Sequence, residues 1–267
     1  MDVLHWRSMD AINLTKLADA RHQVHSAVQW LARMACSYRS PEPDDRNLAL
    51  LWDSERNAIA TQELSGQLGM ELRLPELILQ FTENAAPVRH EFDTEGHTPA
   101  HVEAWILVEL LHRNVDRDRF SKLLPYDVTA LMTGDAVEFA PETCREELDV
   151  LASWYGTAAA VIGEACSGMA RDKPRIWPHD LSLELLVPFK DVDPAGERAV
   201  RVGFSHGAGL SSEPGFYVAR QQREAAGMRP PDAVLTLREL QSDRAETETI
   251  LGFLHRSIAA ARAQTAS

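Results

Sequence analysis

Eight side chains in this sequence are of types that could share chemical work: His25 and Gln29, then Trp177, His179 and Asp180, then His206, Glu213 and Tyr217. Imidazole nitrogens and carboxylate oxygens together suit a divalent metal, and a His–carboxylate pair can move a proton near neutral pH. His22, His25 and Gln29 recur at spacings of three and four, which on a helix puts them on or beside one face. The bland alternative is a helix edge whose polar groups meet solvent or satisfy buried partners. His179 and Asp180 are adjacent, so on an extended chain they point to opposite faces and share a pocket only if the strand has not yet begun. Glu213 reads equally as an acid, a base, a ligand or a solvated turn residue.

Several chemistries are excluded by inspection. The chain has no H-E-x-x-H zinc helix and no G-x-S-x-G nucleophile elbow. It also lacks the dinucleotide fingerprint G-x-G-x-x-G and the phosphate loop G-x-x-x-x-G-K-[ST], so no nucleotide cofactor is expected, while a divalent metal stays compatible. A net charge of −13 with no run of Lys and Arg argues against nucleic acid and anionic membrane. Three widely spaced cysteines, Cys36, Cys144 and Cys166, read as reduced thiols, with Cys36 and Cys166 buried on helices. The first residues show no signal pattern and no apolar run approaches the ~18 residues of a membrane span, so the expected location is cytoplasmic. A small-molecule ligand is compatible with all of this, and the oligomeric state stays open.

The elements that must position these groups follow from periodicity. Helical spacing predicts helices at about 10–38, 98–114, 143–169 and 243–263, with Thr98 and Ser242 as caps and Pro99 at a first helical position. Hairpin-like strands are expected at 47–52 and 58–61, further strands at 70–74 and 77–81, and three more at 181–189, 199–205 and 215–219. The stretch 115–142 reads as connector. The glycine-rich segment from Gly203 to Gly209 reads as a flexible loop, because glycine there would chiefly supply unusual backbone angles. The expected core includes Leu17, Val24, Val28, Leu31, Leu50, Leu79, Ile106, Leu110, Leu151, Tyr155, Ile162, Leu183, Leu185, Val202, Leu251 and Leu254, with Glu109 at the edge of its helix's apolar face. Strands grouped between helices predict an α+β fold with mainly antiparallel sheet and helices packed on it.

Two local echoes bear on domain organisation. Residues 43–51 resemble 178–186, and Ile106-Leu107-Val108-Glu109-Leu110-Leu111-His112-Arg113 resembles Thr249-Ile250-Leu251-Gly252-Phe253-Leu254-His255-Arg256. One reading is a single globular unit over 1–267. The other is two pseudo-repeated helix–strands–helix halves, 1–120 and 141–267, joined by a connector.

Three segments carry a family resemblance: Trp177-Pro178-His179-Asp180, Val202-Gly203-Phe204-Ser205-His206-Gly207 and Glu213-Pro214-Gly215-Phe216-Tyr217-Val218. Together they resemble a bacterial protein family of unknown function whose pattern is W-P-H-H-F-D, G-x-S-P-G-D and E-P-Y-F-Y-V. Helix residues 24–30 resemble that family's L-H-x-x-x-Q segment, and 232–240 its A-V-L-x-x-x-E-L segment. The chain departs from the pattern where Asp180 replaces a histidine, Ser182 an aspartate and Gly215 a tyrosine. The S-P-G-D position reads Ser205-His206-Gly207-Ala208, so a carboxylate is lost and a histidine gained. The resemblance implies a divergent member whose site, if the family has one, is rebuilt or degenerate. Two functional readings follow. One is small-molecule binding or catalysis, with or without a metal, in a pocket lined by the eight residues above. The other is a non-enzymatic interaction or assembly protein with a decayed ancestral site.

Overall fold

A computed structural model describes residues 12–189, 198–207, 213–221, 231–240 and 246–266. Its contacts divide these into an N-terminal unit, residues 12–153 with 177–179, and a C-terminal unit, residues 154–176 and 180 onward. Both are built on antiparallel meanders, so the fold is α+β with mainly antiparallel sheet.

In the N-terminal unit, α1 (Leu14–Tyr38) starts where the Asn13 side chain accepts the Thr15 and Lys16 amides at 3.1 and 3.2 Å. The expected start at Asp10 lies outside the described residues. The strand expected from Asn47 begins later, because Pro43–Leu48 forms a 3-10 segment. β1 (Leu50–Asp53), β2 (Ala58–Ala60), β3 (Leu68–Arg73), β4 (Ile78–Glu83) and β5 (Ala86–Pro87) then pair in sequence order. β6 (Phe92–Asp93) pairs with β4 as well. The register sets Met70 beside Phe81 and Leu72 beside Leu79, an apolar face, while Glu71, Gln80 and Thr82 share the other. α2 (Pro99–His112) is capped by Thr98 and His101 and lays Trp105 against Phe81 and Phe92, each at 5.4 Å between ring centres.

The connector 115–142 has almost no regular structure, yet its backbone is held. Gln23, Ser26, Gln29, Arg33 and Ser37 recur along α1 at spacings of three and four. Ala140 N–H donates to Gln23 at 2.9 Å, Met132 N–H to Ser26 at 3.1 Å and Ser121 N–H to Ser37 at 2.9 Å. Arg33 donates to the Lys122 carbonyl at 3.2 Å. This polar stripe does for the connector what a neighbouring strand would do: it satisfies backbone groups that burial would otherwise orphan.

α3 (Arg145–Ala165) follows a 3-10 turn at Pro141–Cys144. In the C-terminal unit, β7 (Arg175–Ile176), β8 (Leu183–Pro188), β9 (Ala199–His206), β10 (Pro214–Arg220) and β11 (Ala233–Thr236) form the second meander. Its register lines up Leu183, Phe204 and Phe216 in one row and Leu185, Val202 and Val218 in another. The short α4 (Leu237–Leu240) precedes α5 (Glu246–Ala266), which packs on β9, β10 and β11. The Ser242 cap lies outside the described residues. On α5, Ile250, Leu254, Ile258 and Ala261 are buried, whereas Leu251, expected in the core, is half-buried at the edge of that stripe. The other expected core residues are all buried.

The strand expected at 199–205 is present and extends to His206, so the overlapping loop reading of Gly203 to His206 is corrected. Gly203 to His206 are strand, and Gly203 sits mid-strand between Glu184 on β8 and Tyr217 on β10. Its backbone angles are ordinary. A Cβ there would lie 2.5–2.9 Å from the Tyr217 ring, so glycine is needed for space. Gly207 does adopt a positive φ, 92°, and residues 208–212 lie outside the described set.

Candidate functional site

The eight sequence candidates fall into two groups. His25, Gln29, Trp177 and His179 belong to the N-terminal unit; Asp180, His206, Glu213 and Tyr217 belong to the C-terminal unit. In the first group, His25 Nε2 lies 3.1 Å from the Pro178 carbonyl, and the Gln29 amide donates to the same oxygen at 2.7 Å. Gln29 also donates to the His25 carbonyl at 3.1 Å, and its own oxygen accepts from Tyr126 OH at 2.9 Å. Every polar atom of the Gln29 side chain, which is fully buried, is therefore engaged. His179 stands edge-on to Tyr126, ring centres 5.9 Å apart, and tilted against Trp177 at 6.1 Å. His22 meets the Ala130 carbonyl at 2.5 Å. These groups extend the α1 polar stripe and fasten the segment 177–179 to the helix.

In the second group, the Asp180 carboxylate accepts from Ser182 N–H at 2.9 Å and Ser182 Oγ at 2.7 Å. Tyr217 lays its ring across Gly203 and donates a short hydrogen bond to Glu184 Oε1, which Arg201 also approaches at 3.3 Å. Burial, and then the neighbouring Glu184, push the Tyr217 phenol well above its usual range, so it remains a donor. His206 is buried with its ring 6.5 Å from that of Tyr155. Glu213 stands half-exposed, 3.3 Å from the Arg238 guanidinium. This is a polar row across three strands and a surface ion pair.

A third constellation was not among the sequence candidates. His90, Glu109 and His112, all in the N-terminal unit, bring three ligand atoms within 4.8 Å of one another. Glu109 and His112 are three apart, so α2 itself puts them on one face. His90 comes from the segment between β5 and β6 and adopts φ 72°, a left-handed conformation uncommon outside glycine. Glu109 Oε1 lies 3.5 Å from His112 Nδ1 and 3.7 Å from His90 Nδ1, while Oε2 accepts from Arg113 at 2.5 Å. The carboxylate is 4% exposed and the two imidazoles 59% and 71% exposed, so a buried acid faces outward to two wet rings. They stand at the C-terminal end of α2, where the helix dipole favours a cation. The signal was present in the sequence as Glu109-x-x-His112, but its third member is nineteen residues away from Glu109 and followed no pattern.

Beside this cluster, sharing His112 with it and lined also by Arg113, lies a cleft of about 580 Å³. Its walls include Tyr38, Glu83, Asp116 and Arg119. Tyr38 donates to the Asp116 carbonyl at 2.9 Å, and burial together with Asp116 pushes its phenol up to about 12. Arg119 lies over the Tyr38 ring at 5.4 Å and donates to the Ser37 carbonyl at 3.1 Å. Among the described residues no helix is long and apolar enough to cross a membrane. Compared with known proteins, the chain matches no family model, no curated protein and no solved structure.

Proposed function

We propose that His90, Glu109 and His112 hold a divalent metal ion and that the N-terminal unit is a metal-assisted small-molecule site. The observation that carries this reading is the separation of the ligand atoms. Hydrogen bonds between nitrogen and oxygen run ~2.7–3.2 Å, so 3.5 and 3.7 Å are too long for the carboxylate to be bonded to either ring. A tetrahedral ion with bonds of about 2.1 Å sets neighbouring ligand atoms about 3.4 Å apart, close to what Glu109 Oε1 shows toward both imidazoles. Two nitrogens and one oxygen suit zinc or a similar borderline ion, and three protein ligands leave a coordination position open to water or substrate. Arg113, bonded to the second carboxylate oxygen, orients Glu109 as outer partners of metal ligands do. Such an ion would polarise an oxygen of the ligand or activate a bound water.

The test is calorimetric titration of zinc into chelator-treated protein carrying no histidine tag. One site is expected, weakened at least about tenfold, or ~1.4 kcal/mol, by Glu109→Gln and by His112→Ala. Equal zinc affinity in wild type and both variants would sink the reading.

A second reading, a non-enzymatic assembly module, has its own support. α2 exposes Val108 and Leu111, at 47% and 55%, on a helix that is apolar nearly all round. On this reading the chain is a divergent relative of the W-P-H-H-F-D family whose motif residues have been absorbed into structure. Leu111→Glu should then lower the mass seen in sedimentation equilibrium, and an unchanged monomer for wild type would remove it.

A further inference from the structure

The cleft beside the metal cluster has a charge balance that selects its occupant. Two carboxylates, Glu83 and Asp116, and two guanidiniums, Arg113 and Arg119, line it. Adding Glu109 and a divalent ion leaves one positive charge uncompensated. The two arginines also differ. Arg113 is committed, hydrogen-bonded to Glu109 at 2.5 Å and ion-paired with Glu83 at 3.1 Å. Arg119 makes no ion pair among the described residues; it is exposed, placed by the Tyr38 ring and the Ser37 carbonyl, and has donors left over. A guanidinium placed over an aromatic ring and tethered to a carbonyl is set up to bind a planar or tetrahedral oxyanion through its remaining donors.

Resting on the metal reading above, we propose that this cleft binds a small organic anion. One oxyanion group, carboxylate or phosphate, is held by Arg119, and another oxygen of the same molecule occupies the open position of the ion at His90, Glu109 and His112. The volume, about 580 Å³, falls in the range of small-molecule sites, ~300–1,000 Å³. Tyr38 stays protonated near neutral pH, so it adds no charge against the anion. The open coordination position and Arg119 provide two anchoring points, and the negative walls Glu83 and Asp116 disfavour a ligand whose charge is spread evenly along its length.

Cobalt(II) tests the proposal, because its visible spectrum reports the ligands of the ion. Tag-free protein is first titrated with cobalt alone, then the loaded and the metal-free proteins are each titrated with malonate and with inorganic phosphate. The expected result is that one or both anions bind the loaded protein at least tenfold more tightly and change the cobalt spectrum. Arg119→Gln should lose at least tenfold in anion affinity with cobalt affinity unchanged, and Arg119→Lys should recover part of the loss. Failure of cobalt to bind overturns the metal reading and this proposal with it. Cobalt binding with no anion effect, or anion binding indifferent to Arg119, overturns this proposal alone. Arg119 is exposed, so both variants should fold, which circular dichroism checks.

Discussion

Glu109 in the N-terminal unit and Glu184 in the C-terminal unit are both buried carboxylates ringed by polar side chains, and they are used differently. Tyr217 and Arg201 come to contact distance of one oxygen of Glu184, and the row closes across three strands over Gly203. Glu109 has one oxygen engaged by Arg113 and the other set back from two exposed imidazoles by more than a hydrogen bond. Burial and polarity are alike in the two places; separation and solvent access are not. A carboxylate met by donors at hydrogen-bond distance stabilises a fold, whereas Glu109 stands at the spacing that the proposed metal site requires. The helices make the same contrast. α5 repeats the His-Arg pair of α2 as His255 and Arg256, but Gly252 stands where Glu109 would be. With no carboxylate there, His255 turns to the Ala165 carbonyl at 3.2 Å.

The largest effect should come from breaking the row at Glu184. Tyr217→Ala removes a fully buried ring and one partner of Glu184 and should cost ~3–5 kcal/mol in urea unfolding. A loss below about 1 kcal/mol would mean that the row contributes little, and the contrast with Glu109 would collapse.

Gly203→Ala comes next, because its new methyl must fit against the Tyr217 ring. The expected cost is ~1–3 kcal/mol. In the Tyr217→Ala background the same substitution should cost much less, since the obstructing ring is gone. Equal costs in both backgrounds would show that the ring is not what requires glycine.

The two histidines should then part company. His112→Ala should weaken zinc binding at least about tenfold while moving stability by no more than ~0.5 kcal/mol, as its ring is mostly exposed. His255→Ala should leave zinc binding unchanged and cost ~0.5–1.5 kcal/mol for a lost hydrogen bond. The reverse pattern would place the site on the wrong helix.

A smaller effect of opposite sign is expected at Gly252. Alanine there meets only the far end of Arg256, at 3.1 Å, so Gly252→Ala should stabilise by ~0.5–1 kcal/mol through helix propensity. Destabilisation would show that α5 needs that close approach.

The thiols report on each unit separately. Burial pushes Cys144, in the N-terminal unit, up to about 11 and Cys166, in the C-terminal unit, up to about 12, from a usual 9.0. A raised thiol pKa means the folded state holds its proton more tightly. The stabilisation is therefore complete below pH 9 and lost as pH rises through 11 and then 12. Alkylation at pH 8 should be slow at both in native protein and fast in urea, with half-buried Cys36 reacting first. Rapid native labelling of Cys166 would show that the C-terminal unit opens easily.

The four helices, most of the strands and nearly all of the core were readable in the sequence, because helical and strand periodicities are local properties of side-chain order. So was the nearness of His25 and Gln29 to one another, one turn apart on a helix. What those two residues do was decided elsewhere: a carbonyl at Pro178, brought in from nearly 150 residues downstream, consumes both side chains. Gly203 was readable both as part of the strand at 199–205 and as the start of a loop, because glycine usually marks backbone freedom, and only the register of β8, β9 and β10 reveals a tyrosine lying across it. Two of the three residues of the proposed metal site were written in α2 as Glu109-x-x-His112. The third, His90, depends on a short segment folded back to the end of that helix, and no spacing in the chain announces a distance set by tertiary contact.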